Sequence, residues 1–316
     1  MIWLLFACKN DTNLSATEGT DSFLQNPSSA VDVLLVVDDS CSMAPYQAEL
    51  GSHFGTFVSY FDEAAVDFHI GVTTTDNAVD TAGALVGPVI TRETADPDAV
   101  FAGQVEVGTD GSTLEMGLET GWKAVHDPSF VREDAALTVI VVSDEEDSSP
   151  SPVNTYLNQF FDRKGGRGER NVNFTSITVT NPAECTSEQA AYATPSVRYV
   201  DVAKQTGGVI GNLCATGDAF AEIVTTASLS AARLQDRFLL SRNPDPGTLE
   251  VTVTPAGGES TVIACDAGVW TYRIVTDAAG APTPAVVFAR DQIPPAGAEV
   301  QVHYGFGSGD AARFCQ

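Results

Sequence analysis

Two runs, Val31–Val37 (VDVLLVV) and Ala135–Val142 (AALTVIVV), constrain this chain more than any other feature. Each is almost continuous in apolar residues and lacks the strict alternation of a strand with one wet face. Runs of this kind fit strands covered on both faces, as in a parallel sheet. Each also stops at polar residues. The first leads into Asp38-Asp39-Ser40-Cys41-Ser42, the second into Ser143-Asp144-Glu145-Glu146-Asp147. Ligands of an open α/β sheet bind just beyond the carboxyl ends of its strands. The polar ends are therefore candidates for a site, with an ordinary turn or helix cap as the plain alternative.

The segments around these runs alternate in pattern. After Pro45, the residues Leu50, Phe54, Phe57, Val58 and Phe61 share one helical face. Val66–Asp76 reads as a strand. Ala84–Glu93 reads as an edge strand, because Pro88 removes a ladder donor and argues against a central position. Leu114, Leu118, Trp122 and Val125 mark a helix, and Pro152–Phe161 marks another. Asn171–Thr180 is a strand, a short helix and strand fall near Val197–Cys214, and Phe220–Leu234 is the last long helix. This alternation predicts an α/β fold with a doubly wound, mostly parallel central sheet flanked by helices. From about Phe238 the text changes to short runs rich in Val, Thr and aromatics, broken by Gly and Pro. They predict a small antiparallel, sandwich-like β domain. The expected division is a leader and tether over 1–29, the α/β domain over 30–235 and the β domain over 236–316.

With 42 acidic and 16 basic residues, the formal net charge is -26. Such a surface repels nucleic acid and anionic membrane faces and favours cations. The first eight residues, MIWLLFAC, are too few to span a bilayer. LFAC resembles the lipobox of bacterial lipoproteins, whose cysteine is lipidated, so Cys8 is a candidate for membrane attachment. The charged region and longer apolar stretch of a full signal are missing, and the leader reads as truncated. Residues 9 to about 29 carry few bulky apolar side chains and read as a tether. Of the other cysteines, Cys185 with Cys214 and Cys265 with Cys315 are possible pairs in an exported chain, leaving Cys41 as a small buried residue or a disulfide partner. The sequence does not fix this connectivity.

Three segments supply oxygen ligands with no soft donors: Asp38, Ser40 and Ser42; Ser112 in the Gly-rich stretch GTDGSTLEMGLE (Gly108–Glu119); and Asp144. That donor set suits a hard ion, Mg²⁺ above all, with Ca²⁺ or Mn²⁺ as alternatives. Glu145, Glu146 and Asp147 read as a solvated rim. Asp39 is either a loop-shaping residue or solvent-facing, and Asp110 is close enough to join as an outer neighbour.

On these residues the chain resembles a von Willebrand factor A domain, in particular the bacterial secreted or lipid-anchored members. The metal-ion-dependent adhesion site of that family follows D-x-S-x-S, a distant Thr and a distant Asp. Asp38, Ser40 and Ser42 match the first motif and Asp144 the last. Ser112 falls at the Thr position, with Thr113, shifted by one, as the alternative. The resemblance covers about residues 30–235. It implies a VWA- or Rossmann-like sheet, divalent-metal-dependent protein binding without turnover, and a bound ion that bridges to an acidic side chain of the partner.

Enzyme readings fit less well. A phosphatase of the aspartyl-nucleophile type needs D-x-D, and here the third position is Ser40. GFGSG (Gly305–Gly309) has Gly307 where a nucleophile elbow needs Ser. His53, His69, His126 and His303 form no zinc pair, and no G-x-G-x-x-G follows the first strand. The expected function is therefore an adhesion or assembly module at a bacterial cell envelope, either on the surface as a lipoprotein or in the periplasm or medium. A structural part of an envelope assembly, with the metal only stabilising, is the alternative, and a metal-dependent hydrolase is the third. The sequence does not specify the oligomeric state.

Overall fold

In the computed structural model, which describes residues 17–25, 30–63, 66–165, 171–266, 268–276, 281–289, 292–295 and 297–307, the two apolar runs lie side by side as parallel strands. The chain order begins with β1 (Glu18–Leu24), β2 (Ala30–Val37), α1 (Ala44–Ser52), α2 (Phe54–Glu63) and β3 (Asp67–Thr74). It continues with α3 (Pro97–Val105), α4 (Gly117–Ala124), β4 (Ala136–Ser143), α5 (Val153–Arg163), β5 (Val172–Thr178), α6 (Arg198–Thr206), β6 (Ile210–Asn212) and α7 (Asp218–Ala232). Six strands close it: β7 (Arg237–Leu239), β8 (Glu250–Thr254), β9 (Thr261–Ile263), β10 (Trp270–Thr276), β11 (Pro282–Phe288) and β12 (Glu299–Gly305).

The chain divides into two units. Gln25–Gln235 with Pro295–Gly297 form the α/β unit. Its sheet has the order β3-β2-β4-β5-β6, and every pairing is parallel. All eight residues of β4 are buried, as are all of β2 beyond its first. That is the pattern expected of strands covered by helices on both faces. Leu34, Val36, Val139 and Val141 pack with Leu118 of α4, Tyr156 and Phe160 of α5 and Tyr199 of α6 in one core cluster. At the amino end of the sheet, Arg132 Nε donates to Asp32 at 2.8 Å and its backbone N–H donates to the other carboxylate oxygen at 2.7 Å. This pairing accounts for the one charged residue in the apolar run of β2.

Several elements differ from the sequence expectation. Ala84–Glu93 is not a strand. Ile90 makes one isolated bridge to Ile70, and the carbonyl of Pro88 accepts from Gln104 Nε2. The single helix expected after Pro45 is two, with His53 closing α1. Helix α3 was not foreseen, although Asp96 caps it through the amide of Ala99 and Pro97 opens it. Leu114 lies outside α4 and is exposed.

The second unit holds β1 and β7–β12 in two antiparallel sheets, ordered β1-β12-β8-β9 and β10-β11-β7. Phe238, Val251, Trp270, Val286, Val300 and Tyr304 form one core between them. Residues 18–24, read from the sequence as tether, instead pair along their whole length with β12. The pairing spans nearly the full chain, and the alternating exposure of β1 leaves only a half-buried face. Cys8, and the Cys315 end of the second cysteine pair, lie outside the described residues. Among the described residues no helix is long and apolar enough to cross a membrane.

Candidate functional site

The end of β2 sets the site. The Asp38 N–H donates to Val142 O at 3.0 Å, which seats Asp38 over the end of β4. Asp38 is fully buried. Its Oδ1 accepts the Ser40 N–H at 2.7 Å, and its Oδ2 accepts Ser143 Oγ at 2.6 Å. Ser40 Oγ and Ser42 Oγ lie 3.2 Å apart, and Ser42 Oγ donates to Asp144 Oδ1 at 3.2 Å. The structure therefore joins Asp38, Ser40, Ser42 and Asp144 in one hydrogen-bonded group. Gln47 Nε2, from α1, donates to Asp38 O and to Gly108 O, at 2.9 and 2.8 Å. This bond and Gly111 N–H to Asp39 O, at 2.9 Å, hold the Gly-rich loop against the same edge. Only glycine permits that approach, because a Cβ at position 111 would lie 2.3 Å from Asp39 Oδ1 and 2.8 Å from its backbone oxygen.

Among the described residues Ser112 makes no hydrogen bond to this group. Its Oγ accepts the Leu114 N–H at 3.1 Å, a local turn bond, and Thr113 is exposed. The loop delivers Glu115 instead, and no motif had marked that residue. Glu115 is 1% exposed. One of its carboxyl oxygens accepts from Thr75 Oγ1, the other has no donor among the described residues, and the carboxyl faces Asp38. Burial, then the charge of Asp38, push Glu115 up to about 9, so at neutral pH it keeps its proton and offers it to Asp38.

The other acids here follow the same trend. Burial and Asp38 raise Asp144 to about 6, against the pull of the Ser42 hydroxyl. Burial and Asp76 raise Asp39 to about 6. Burial, Asp38 and Asp144 raise Glu145 to about 7. Among the described residues no lysine or arginine forms an ion pair with Asp38, Asp39, Glu115, Asp144 or Glu145.

The expected solvated rim is only partly one. Asp147 is buried and ties its own loop to α4 and α6. Its Oδ1 accepts the Leu118 N–H at 3.2 Å and Ser149 Oγ at 2.7 Å, while its Oδ2 accepts Arg198 Nε at 2.8 Å. Glu146 caps α6 through the amides of Val197 and Arg198. Cys41, read from the sequence as a small buried residue or a disulfide partner, is exposed and free.

The metal expectation is corrected here. Among the described residues no group of three or more His, Cys, Asp or Glu side chains is placed to hold a metal ion. The oxygens expected to ligate Mg²⁺, Ca²⁺ or Mn²⁺ are engaged with one another or with backbone amides. Both oxygens of Asp38 are taken, the Ser42 hydroxyl donates to Asp144, and Ser112 serves its own loop. A hard cation needs several such oxygens turned inward at once.

Beside Ser42 and Asp144 the surface opens into a groove of roughly 640 Å³, with Tyr46, Glu49, Glu188 and Tyr192 on its walls. The Cys185–Cys214 disulfide anchors the segment that carries Glu188 and Tyr192.

No family model matches this chain, and no curated protein matches its sequence. Solved structures with a related backbone are known. Proximal thread matrix protein 1 of the mussel byssus superposes with a TM-score of 0.44 at 13% identity, over 70% of this chain and 52% of that one. A von Willebrand factor type A protein from Catenulispora acidiphila gives 0.40 at 10% identity, over 93% and 66%. The pilus adhesin SpaC of Lactobacillus rhamnosus GG gives 0.46 at 11% identity, over 91% and 41%. The chain thus spans between about two fifths and two thirds of the lengths of these proteins. The α/β unit itself has a VWA-like architecture, a parallel sheet flanked by helices with polar loops at its carboxyl end.

Proposed function

We propose that the α/β unit is a non-catalytic protein-binding module for adhesion or assembly, which captures another protein at the carboxyl-end edge of its sheet. One observation carries this reading. Asp38, Ser40, Ser42 and Asp144, from two separate strand ends, converge at that edge beside an open groove. A purely structural edge has no need of a recess this large next to its buried polar group. Ser42 and Asp144 are the members of the group that reach the groove, and Asp38 and Ser40 hold them in place. Ser112 and its loop form the neighbouring rim. The binding relies on these side chains directly.

The setting proposed is the outside of a bacterial cell or its envelope, with attachment through Cys8 as one route. The disulfide between Cys185 and Cys214 supports an oxidising compartment, and the net charge of -26 suits a dispersed, exported protein.

The test is capture of partner proteins from envelope extracts on the immobilised full chain, compared with Ser42→Ala and Asp144→Asn. Circular dichroism establishes that the variants fold. The expected result is a partner retained by the native chain in the presence of EDTA and lost with either variant. A retained set that is identical for all three proteins sinks the reading and leaves the unit as a structural part.

A further inference from the structure

We infer that the groove beside Ser42 and Asp144 receives a basic, extended segment of the partner protein, with an arginine or lysine side chain seated among Glu49, Asp144 and Glu188. This deepens the proposed function and rests on it. Among the described residues no basic side chain lines the groove, while three carboxylates do. Glu49 uses one carboxylate oxygen on the Gly217 N–H at 3.0 Å, and Asp144 uses one on Ser42, so each has a second oxygen to offer. An acidic partner segment would meet these charges unpaired and a net charge of -26 behind them. The partner chemistry expected of a metal-bridged site is thereby reversed.

A second observation, independent of charge, also points to a ligand. Tyr46 lines the groove and is only 4% exposed, yet its hydroxyl makes no well-formed hydrogen bond among the described residues, with the Gln189 side chain of the same groove wall as its neighbour. Buried hydroxyls in folded proteins are normally paired, and an unpaired one at a groove wall fits a partner that arrives from outside. Tyr192, also in the groove lining, is 57% exposed, and its aromatic ring is a group on which a guanidinium stacks. The volume of roughly 640 Å³ accommodates one long side chain with the backbone on either side of it.

The experiment uses the full chain and short acetylated, amidated Gly-Ser peptides that differ only in a central Arg, Gln or Glu. Affinity is measured by calorimetry at physiological ionic strength. Cys41, exposed and on the groove wall, reports occupancy through its rate of alkylation by iodoacetamide. The expected result is that the Arg peptide binds about tenfold more tightly than the Gln peptide, as a charge-assisted contact predicts. The Glu peptide binds more weakly than either, and the Arg peptide slows Cys41 alkylation. Glu49→Gln with Glu188→Gln removes the Arg preference. The control pair Glu93→Gln with Asp98→Asn, which removes equal charge from exposed positions outside the groove lining, keeps it. Tyr46→Phe weakens the Arg peptide by about threefold, as the loss of one hydrogen bond would.

The inference is overturned by equal affinity for Arg and Gln peptides, by equal loss of preference in the control pair, or by undiminished Cys41 alkylation. If any of these occurs while partner capture still depends on Ser42 and Asp144, the binding edge stands and only its basic partner falls. If capture is also indifferent to Ser42→Ala and Asp144→Asn, both readings fall.

Discussion

The carboxyl of Glu115 lies against that of Asp38 in the closed end of the sheet, and among the described residues no ion pair reaches either. Two bare carboxylates at this depth would repel strongly, and a proton on Glu115 removes one of the charges. Glu115→Gln keeps a donor toward Asp38 and an acceptor for Thr75, so its stability should stay within about 1 kcal/mol of the native chain at neutral pH. Glu115→Ala leaves the Thr75 hydroxyl without its acceptor beside a void and should cost about 3 kcal/mol. Urea denaturation with an unchanged slope measures both. An alanine variant as stable as the glutamine one would show that the two carboxyls do not interact.

Arg198 and Asp147 tie α6 to the start of α4. Asp147 is buried, so removing its cation leaves an unpaired charge inside, which is the expensive way to break such a pair. Arg198→Ala is expected to destabilise the α/β unit by about 3 kcal/mol. Asp147→Asn with Arg198→Ala together should cost less than Arg198→Ala alone. A double-mutant cycle on thermal or denaturant midpoints gives the coupling, and simple additivity would contradict the pairing.

The contrast between these two acids and the rest of the edge shows where the sequence was readable. Val31–Val37 and Ala135–Val142 announced buried parallel strands because a strand covered on both faces has no polar side to alternate with. Asp38, Ser40, Ser42 and Asp144 followed, since strand ends in such a sheet point to one edge. Glu115 was not legible, because nothing local separates a buried acid in a turn from a solvated one. Only the register that brings Met116 N–H to Thr75 O, at 3.0 Å, turns it inward. Asp147 sits in an acidic run that resembles a solvent face, and its partner Arg198 is distant in sequence. The metal expectation failed for a related reason. Residue types and spacing specify oxygens but not their existing hydrogen bonds, and here those bonds are made within the protein. The pairing of β1 with β12 was hidden by its sequence distance. The helix at Pro97–Val105, by contrast, carried a readable start in Asp96-Pro97.

Asp21 links β1 to its own unit through three donors. Tyr304 Oη and the Ser241 N–H reach one carboxylate oxygen at 2.6 and 2.8 Å, and Ser241 Oγ reaches the other at 2.7 Å. Burial alone would raise its carboxyl, but the hydrogen bonds from Tyr304 and Ser241 outweigh it and hold Asp21 below its ordinary value of 3.8. A depressed carboxyl contributes stability above its unfolded-state value, and that stability is lost as pH falls through the lower folded-state value. Acid denaturation followed by near-ultraviolet circular dichroism should therefore show a component below pH 3.8 that Asp21→Asn removes. An NMR titration of Asp21 with its midpoint above 3.8 would refute the assignment.

The disulfide Cys185–Cys214 closes a span of 29 residues. In the chain-entropy account a loop of that length restricts the unfolded chain by about 3.6 kcal/mol. Cys185→Ser with Cys214→Ser should lower the stability of the α/β unit by about that amount. The segment carrying Glu188 and Tyr192 lies inside this span, and Asp144 O is its nearby anchor through the Thr194 N–H at 2.8 Å. Loss of the bond should therefore open that segment before the sheet. Hydrogen exchange is expected to rise first over residues 186–192, while amides of β2 and β4 keep their protection under native conditions. Binding at the groove should weaken in parallel, since the wall that holds Glu188 and Tyr192 is then unanchored. Uniform loss of protection across the unit would show instead that the disulfide supports the core and not the groove.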